Sequence, residues 1–437
     1  MSARVQRERF DVAVVGGGLA GFAAALSAAR LGARTLLVER ERELGGNATH
    51  ALVHTICGLY RPAADGDALL AHRGLPGRFA QALREAGAAG EPERAGRVYV
   101  LPTYPPRPAA LAKQLCDAEP SLSARLGCEL VGAELARDTR TRHALRLRDA
   151  AAGECEIEAA LAIDASGDAE LAARGGAHTA LAPAHELQIP SYIFRVRGVE
   201  DVEVEGFARL RLGHALAGAV RSGQLSEGCE SLLVRPGAES GEAYITLNLP
   251  RPAGAAYAPL DPACLAELEA GARRTAERVV AFLRSTRPGF EKIEVLAWPG
   301  RVGVRETRRL CGVAELTRED ILEGRRRTDE VAVSTWPIEI WRDRQRAQLE
   351  YPAGSCSIPL GALISRSHPR LGMAGRCLSA SHEALGALRV LGTALATGEA
   401  AGVAAALAAD AGVGLDAIAA ADVRHHIVAL DARRETP

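Results

Sequence analysis

The apolar positions of this chain begin with a β-branched run at residues 10–15, followed by a glycine cluster and then by an alanine-rich, proline-free stretch at residues 19–31. That succession predicts strand, tight turn and helix. Gly32 stands where a residue just past a helix C-terminus belongs, and residues 35–38 resume an apolar strand that stops at Glu39-Arg40. The pattern predicts a complete β-α-β unit.

Beyond Arg40 the pattern loosens. Residues 45–108 are irregular and rich in Gly, Pro and His, with a single predicted helix at 78–86. An irregular stretch of that length in a compact protein usually carries function. Between residues 124 and 163, short apolar pieces at 128–131, 144–147 and 156–163 are divided by polar turns, which predicts a small antiparallel meander. Its last piece runs straight into Ala165-Ser166-Gly167-Asp168. From about residue 178 to 365, predicted strands (192–196, 231–234, 243–249, 293–297) alternate with long helical stretches (202–222, 261–284). One further strand at 370–374 and one further helix at 389–409 are expected to return to the first unit. The fold class expected is therefore α/β. A Rossmann-like domain is built from residues 1–177 and 366–437, and an α+β substrate domain, residues 178–365, is inserted into it.

Composition narrows the class. The 437 residues are 48% hydrophobic and carry a formal net charge of −1 with both signs interspersed, so no basic face for a phosphate backbone is announced and nucleic acid is not an expected partner. The nine cysteines are scattered without a C-x-x-C pair, which argues against a disulfide framework, a zinc ribbon and a cysteine-held cluster. The charged residues before residue 10 lead straight into the first strand with no cleavage pattern, and a cytoplasmic protein is expected. The apolar run at 390–409 approaches membrane-span length, but it is rich in Ala and Gly and interrupted by Thr393, Thr397 and Glu399. A buried helix is expected there, and no membrane.

The strongest motif is Gly16-Gly17-Gly18-Leu19-Ala20-Gly21. A G-x-G-x-x-G directly after a strand and opening a helix lets a pyrophosphate approach unpaired backbone amides at the helix N-terminus. In this reading Gly16 makes the tight turn, Gly18 clears room for phosphate, and Gly21 permits close packing of helix on strand. The bland alternative is a purely structural turn. Glu39 weighs against it, because it ends the second strand where a carboxylate accepts hydrogen bonds from a ribose diol.

Several further segments carry a resemblance. Glu39-Arg40, Leu44-Gly45-Gly46-Asn47-Ala48-Thr49, Ile163-Asp164-Ala165-Ser166-Gly167-Asp168 and Gly375-Arg376-Cys377-Leu378-Ser379 resemble the FAD-dependent oxidoreductases of the glutathione-reductase-like fold. Gly303-Val304-Arg305-Glu306-Thr307-Arg308-Arg309, and His382-Glu383-Ala384 followed by Arg389, are similar to the FAD_oxidored family within that group. The resemblance covers both ends of the chain well and the middle thinly. It implies FAD as the cofactor. Gly45 and Gly46 would pass close to the ribityl chain and the isoalloxazine, which Asn47, Ala48 and Thr49 would border. Leu135 would place backbone against the adenine, Ala165, Gly167 and Asp168 would close over the pyrophosphate side, and Gly375 and Arg376 would lie along the ribityl phosphate. The start of the last helix, Leu388, Arg389 and Val390, would face the N1/O2 edge of the flavin, where a helix dipole and the Arg389 charge favour the reduced anion.

Acid–base candidates are His50, His54, His382, Glu306 and Arg305, with His382 placed first because it lies between the last strand and the last helix. His50 and His54 are four apart, but no third ligand of metal spacing accompanies them and no metal is expected. On an extended strand Arg305 and Thr307 would share one face, and Glu306 and Arg308 the other, so that one face presents a cation and the other an ion pair. A structural salt-bridge ladder explains the same residues. The function expected is hydride transfer between an unidentified small-molecule substrate and flavin N5. A flavin monooxygenase and a non-catalytic FAD-containing protein are the alternatives. No second G-x-G-x-x-G follows a strand in the middle of the chain, so no built-in nicotinamide domain is expected, and the electron donor or acceptor and the oligomeric state stay open.

Overall fold

A computed structural model describes residues 8–62, 66–204, 206–251, 257–342 and 347–432. The charged N-terminal residues 1–7 lie outside it.

The first strand, Glu8–Val15, forms the middle of a seven-stranded sheet, and its residues 12–15 are buried as expected for a strand covered on both faces. It pairs in parallel with Thr35–Glu39 on one side and with Gly153–Asp164 on the other. Thr35–Glu39 pairs onward with Leu122–Leu126. The strand Gly153–Asp164 is twelve residues long and does two jobs. Its first part is the last strand of the expected antiparallel meander, paired with His143–Asp149, which in turn pairs with Cys128–Glu134. Its end pairs in parallel with Leu371–Met373, so the C-terminal part of the chain does return to the first sheet.

The helix Leu19–Arg30 connects the first two strands and is crossed by the helix Leu391–Ala411. A Cβ placed on Gly398 would stand 2.1 Å from the Ala20 carbonyl oxygen, and one on Gly402 would stand 2.1 Å from that of Ala24. Glycines one turn apart therefore let the two backbones touch. By length and composition Leu391–Ala411 passes for a membrane span, but 89% of its most apolar window is buried within the protein. The alanine and glycine content expresses helix-on-helix packing at close range.

A second, antiparallel sheet has the order Leu233–Pro236, Glu242–Asn248, Ser191–Arg197, Glu294–Ala297. Strict alternation splits its two faces. Tyr192, Phe194, Val196, Val234, Ala243, Ile245 and Leu247 pack under the helices Gly206–Arg221 and Pro262–Thr286. The longer helix starts where Asp261 accepts a hydrogen bond from the Ala263 amide, a cap that contributes about 1 kcal/mol. Ser191, Ile193, Leu233, Arg235, Thr246 and Asn248, one position out of phase, face the other way and line a cavity.

Three expectations need correction. Residues 45–108 are more ordered than their composition suggests: they hold the helices Asn47–His50 and Leu75–Glu85, and Arg107–Asp117 begins another. A three-stranded sheet of Thr55–Ile56, Val98–Pro102 and Glu93–Ala95 lies between them. Its strands are too short to show alternation. The predicted helix at 202–222 divides into a 3-10 turn, Asp201–Val204, and the helix Gly206–Arg221. Residues 301–308 form no ladder strand: Gly303 makes a single antiparallel bridge with Ser191, and a strand begins only at Arg309–Leu310, paired with Thr179–Ala180.

Candidate active site

The β-α-β unit opens a cleft of about 600 Å³ along the carboxyl ends of the first sheet's parallel strands. Its walls include Gly16, Gly18, Leu19, Ala20, Glu39 and Arg40 on one side, and Ala165, Gly167, Asp168, Gly375 and Arg376 on the other. A Cβ on Gly21 would lie 1.7 Å from the Gly16 carbonyl oxygen, so helix and turn touch there. A Cβ on Gly18 would meet only the Gly46 Cα, at 3.9 Å, and would otherwise project into open space. The first turn of the helix Leu19–Arg30 contains no acidic residue, and its leading amides have no intrahelical acceptor. The Glu39 carboxylate is fixed by the amides of Gly17 (2.6 Å) and Glu41 (2.9 Å). A cradle with free amides, an open glycine, flanking arginines and a strand-end carboxylate suits a dinucleotide.

Distant loops hold the far wall. Asp164 is fully buried, and burial pushes its carboxyl up despite hydrogen bonds from Ser166 and from the amide of Ala172. These bonds fold the loop 165–172. Asp168 then accepts from Thr307 (2.8 Å) and from Arg376 (2.7 Å), while the Val304 carbonyl accepts from both Asn47 (3.1 Å) and Arg376 (2.8 Å). Four segments remote in sequence meet at this corner.

A second cavity, of about 360 Å³, adjoins the cleft. Asn47, Arg376, Arg389 and Leu391 border both. Beyond them its lining includes the free face of the antiparallel sheet, His54 and Cys57, and the segment carrying Trp336, Glu339 and Trp341. Burial and the nearby Arg235 push the His54 imidazole down to about 3, so the ring is neutral at ordinary pH. Its Nδ1 lies 3.2 Å from the Leu52 carbonyl, which assigns the proton to Nδ1 and leaves Nε2 as an acceptor. Burial pushes the Cys57 thiol up to about 12, so Cys57 is no activated nucleophile. Burial also disfavours the Glu339 carboxylate, but Arg389, the indole N–H groups of Trp341 and Trp336, and Arg305 outweigh it and hold the group below its ordinary value. Glu339 is ionised.

The profile described as FAD dependent oxidoreductase matches residues 11–427. The chain belongs to that family. FAD is its cofactor, and the protein is an FAD-dependent oxidoreductase. No curated protein matches it in sequence. Among solved structures, a geranylgeranyl bacteriochlorophyll reductase-like protein from Thermoplasma acidophilum is 14% identical, with 98% of this chain and 84% of that one covered at a TM-score of 0.47. A p-nitrophenol 4-monooxygenase from Pseudomonas putida is 13% identical, with 96% and 84% covered at 0.45. A flavoprotein/dehydrogenase from Cytophaga hutchinsonii is 14% identical, with 98% and 84% covered at 0.45. Each is a similarity of chain fold.

Among the residues singled out in the sequence, several stand elsewhere than expected in this FAD-dependent oxidoreductase. Leu135 does not border the cleft: it follows the strand Cys128–Glu134 and packs over Gly175, while Cys128, Glu129 and Leu130 line that end. Ala48 and Thr49 lie behind the wall, where the Thr49 hydroxyl donates to the Leu44 carbonyl (2.7 Å) and fixes the Gly45-Gly46 turn. Leu388 is fully buried in the short helix His382–Leu388, Val390 caps the next helix and lines the second cavity, and His50 bonds the Glu43 carbonyl outside both spaces.

His382 and Glu306 line neither space. Glu306 is fully buried and accepts from Arg309 (2.7 Å) and pairs with His382 Nδ1 (2.8 Å). This cluster ties the segment 305–309 to the start of His382–Leu388. Arg305 alone of that segment reaches the second cavity, held by the Asn248 side chain (2.8 Å) and the Ile189 carbonyl, with its guanidinium 4.7 Å above the Trp341 ring. Sequence reasoning missed Trp336, Glu339, Trp341 and Asn248, and it placed Thr307 beside Arg305 and not on Asp168, where its hydroxyl donates at 2.8 Å. Two of the chain's three tryptophans, five residues apart in Trp336-Pro-Ile-Glu-Ile-Trp341, were the available signal.

Proposed function

We propose that the enzyme transfers hydride between a small organic molecule in the second cavity and FAD in the cleft. The observation that supports this is the shared wall of Asn47, Arg376, Arg389 and Leu391. In this reading Gly16, Gly18, Leu19, Ala20 and Gly21 form the pyrophosphate cradle, and Glu39 takes the ribose hydroxyls beside Arg40. Gly45, Gly46 and Asn47 line one side of the cofactor, and Ala165, Gly167, Asp168, Gly375 and Arg376 the other. When bound, FAD supplies a two-electron centre able to accept or return hydride.

The chain's own groups set the conditions. Arg389 and the leading amides of the helix Leu391–Ala411 place positive potential at the shared wall, which favours negative charge gathering there. His54, neutral, offers Nε2 to a substrate hydroxyl or amine rather than a cation. The tryptophan-rich segment and the sheet face give the cavity two walls for a substrate body. Glu306, His382 and Arg309 position Arg305 and the helix that ends at Arg389; they do not touch substrate. The test is anaerobic single-turnover reduction by a panel of alcohols, amines and hydroxy acids. One class is expected to bleach the flavin absorbance, and Thr246→Trp, which fills the cavity without reaching the cleft, is expected to slow that class tenfold or more. An unchanged rate in Thr246→Trp would remove the cavity from the reaction. Reduction by a reduced nicotinamide dinucleotide and not by the organic panel, followed by oxygen insertion, would make the enzyme a monooxygenase.

A further inference from the structure

The charge balance of the second cavity is incomplete. Among the described residues its charged lining consists of Arg235, Arg305, Arg376, Arg389 and Glu339. Arg376 is paired with Asp168 at 2.7 Å, and Arg235 has Glu93 at 3.8 Å. Among the described residues, neither Arg305 nor Arg389 has a carboxylate oxygen within 4.0 Å. Both are held by neutral oxygens: Arg305 by Asn248 and the Ile189 carbonyl, Arg389 by the Gln188 side chain and the Glu339 carbonyl, each at 3.2 Å. Glu339, the carboxylate that lines the cavity among the described residues, already accepts two indole N–H groups and is shared between the two guanidiniums. Enclosed charge without a counter-charge is costly unless something supplies it. The unpartnered buried nitrogens around this point, Asn248 Nδ2, Gln188 Nε2 and Arg389 Nε, are all donors.

The two arginines differ in what they face. Arg389 borders cleft and cavity alike, whereas Arg305 borders the cavity only. A positive charge meant solely for the cofactor would not sit at Arg305. The lining also carries an apolar wall of Val53, Val98, Val100, Ile193 and Leu233, together with Trp336, beside uncharged polar groups such as Thr55, Ser191 and Thr246. At about 360 Å³ the space is at the small end of ligand cavities, which run from about 300 to 1,000 Å³.

We propose that this cavity binds a small carboxylate with an apolar body, the carboxylate set against Arg305 and the body against the valine and tryptophan wall. This rests on the cavity being the substrate site. A planar guanidinium fixed by Asn248 and the Ile189 carbonyl and stacked on Trp341 is preorganised for hydrogen bonds to a carboxylate.

The test uses the holoenzyme and two probes of one shape, benzoate and benzamide, with binding read from perturbation of the flavin visible spectrum. Benzoate is expected to bind at least tenfold more tightly. Arg305→Met is expected to keep its FAD and lose that preference, and Arg305→Lys to keep part of it. Benzamide binding as tightly as benzoate in the wild type, or a preference that survives Arg305→Met, would overturn the carboxylate assignment and leave the cavity as substrate site. Failure of both probes to perturb the flavin would overturn the assignment together with the reading it rests on. The wild-type comparison decides the question even where a variant does not fold.

Discussion

The cleft and the cavity that adjoins it are built by opposite means. One wall of the cleft is made chiefly of backbone: free helix amides, a glycine turn and one strand-end carboxylate, all within residues 16–40. The cavity is made of side chains drawn from segments as far apart as Asn47, Asn248, Arg305, Glu339 and Arg389. A backbone cradle recognises what is common to dinucleotides and tolerates little change. A side-chain cavity recognises one particular molecule, and its selectivity can be rewritten by single substitutions.

Substitutions at the joint between the two regions should have the largest effect. Glu306→Ala leaves Arg309 and His382 buried without their carboxylate and is expected to cost about 3–5 kcal/mol of stability, read by denaturant unfolding. A loss below about 1 kcal/mol would mean that the cluster does not join them.

The scaffold behind the cleft should show its own pH signature. Glu399, on the helix Leu391–Ala411, accepts the Leu75 amide at 2.8 Å, and burial raises its carboxyl from 4.5 to about 7. Because the folded value exceeds the unfolded one, its contribution is fully present below about pH 4.5 and is lost as pH rises through about 7. The loss is of the order of 3 kcal/mol. Melting temperatures across that window should fall with pH in the wild type and fall less in Glu399→Gln; parallel curves would contradict the assignment.

Effects confined to one region come next. Arg389→Met is expected to retain FAD but to slow flavin reduction by roughly thirtyfold, about 2 kcal/mol, since it removes positive charge from the shared wall only. Stopped-flow reduction measures it, and an unchanged rate would return Arg389 to a packing role. The smallest effect is expected of Glu39→Gln, which keeps the shape of the strand end and should weaken FAD by about 1 kcal/mol, near fivefold in Kd. Cofactor titration of the apoprotein checks it.

The same contrast explains what the sequence made legible. The turn Gly16–Gly21 and Glu39 could be read because their geometry is local and is written in glycines. The four strands of the second sheet could be read from apolar runs, and the strand ending at Asp164 from its run into the Ala165–Asp168 loop. The cavity could not be read. Glu306 meets His382 across 76 residues, and Asn47 meets Val304 across 257. No periodicity encodes such meetings. His382 looked catalytic from its place between the last strand and the last helix, but its ring is buried against Glu306. Leu135 was one half-turn of meander away from the cleft, because the strand presents its start, Cys128 to Leu130, and not its end.

The central claim is that the open space at Gly18 is where the cofactor lies, and it is tested most directly by the flavin content of purified Gly18→Val beside the wild type. A side chain there projects into the cleft and meets almost nothing else, so the variant should fold with near wild-type far-ultraviolet dichroism and melting behaviour yet purify colourless, while the wild type carries one FAD per chain. A folded Gly18→Val that purifies with a full complement of FAD would contradict the account.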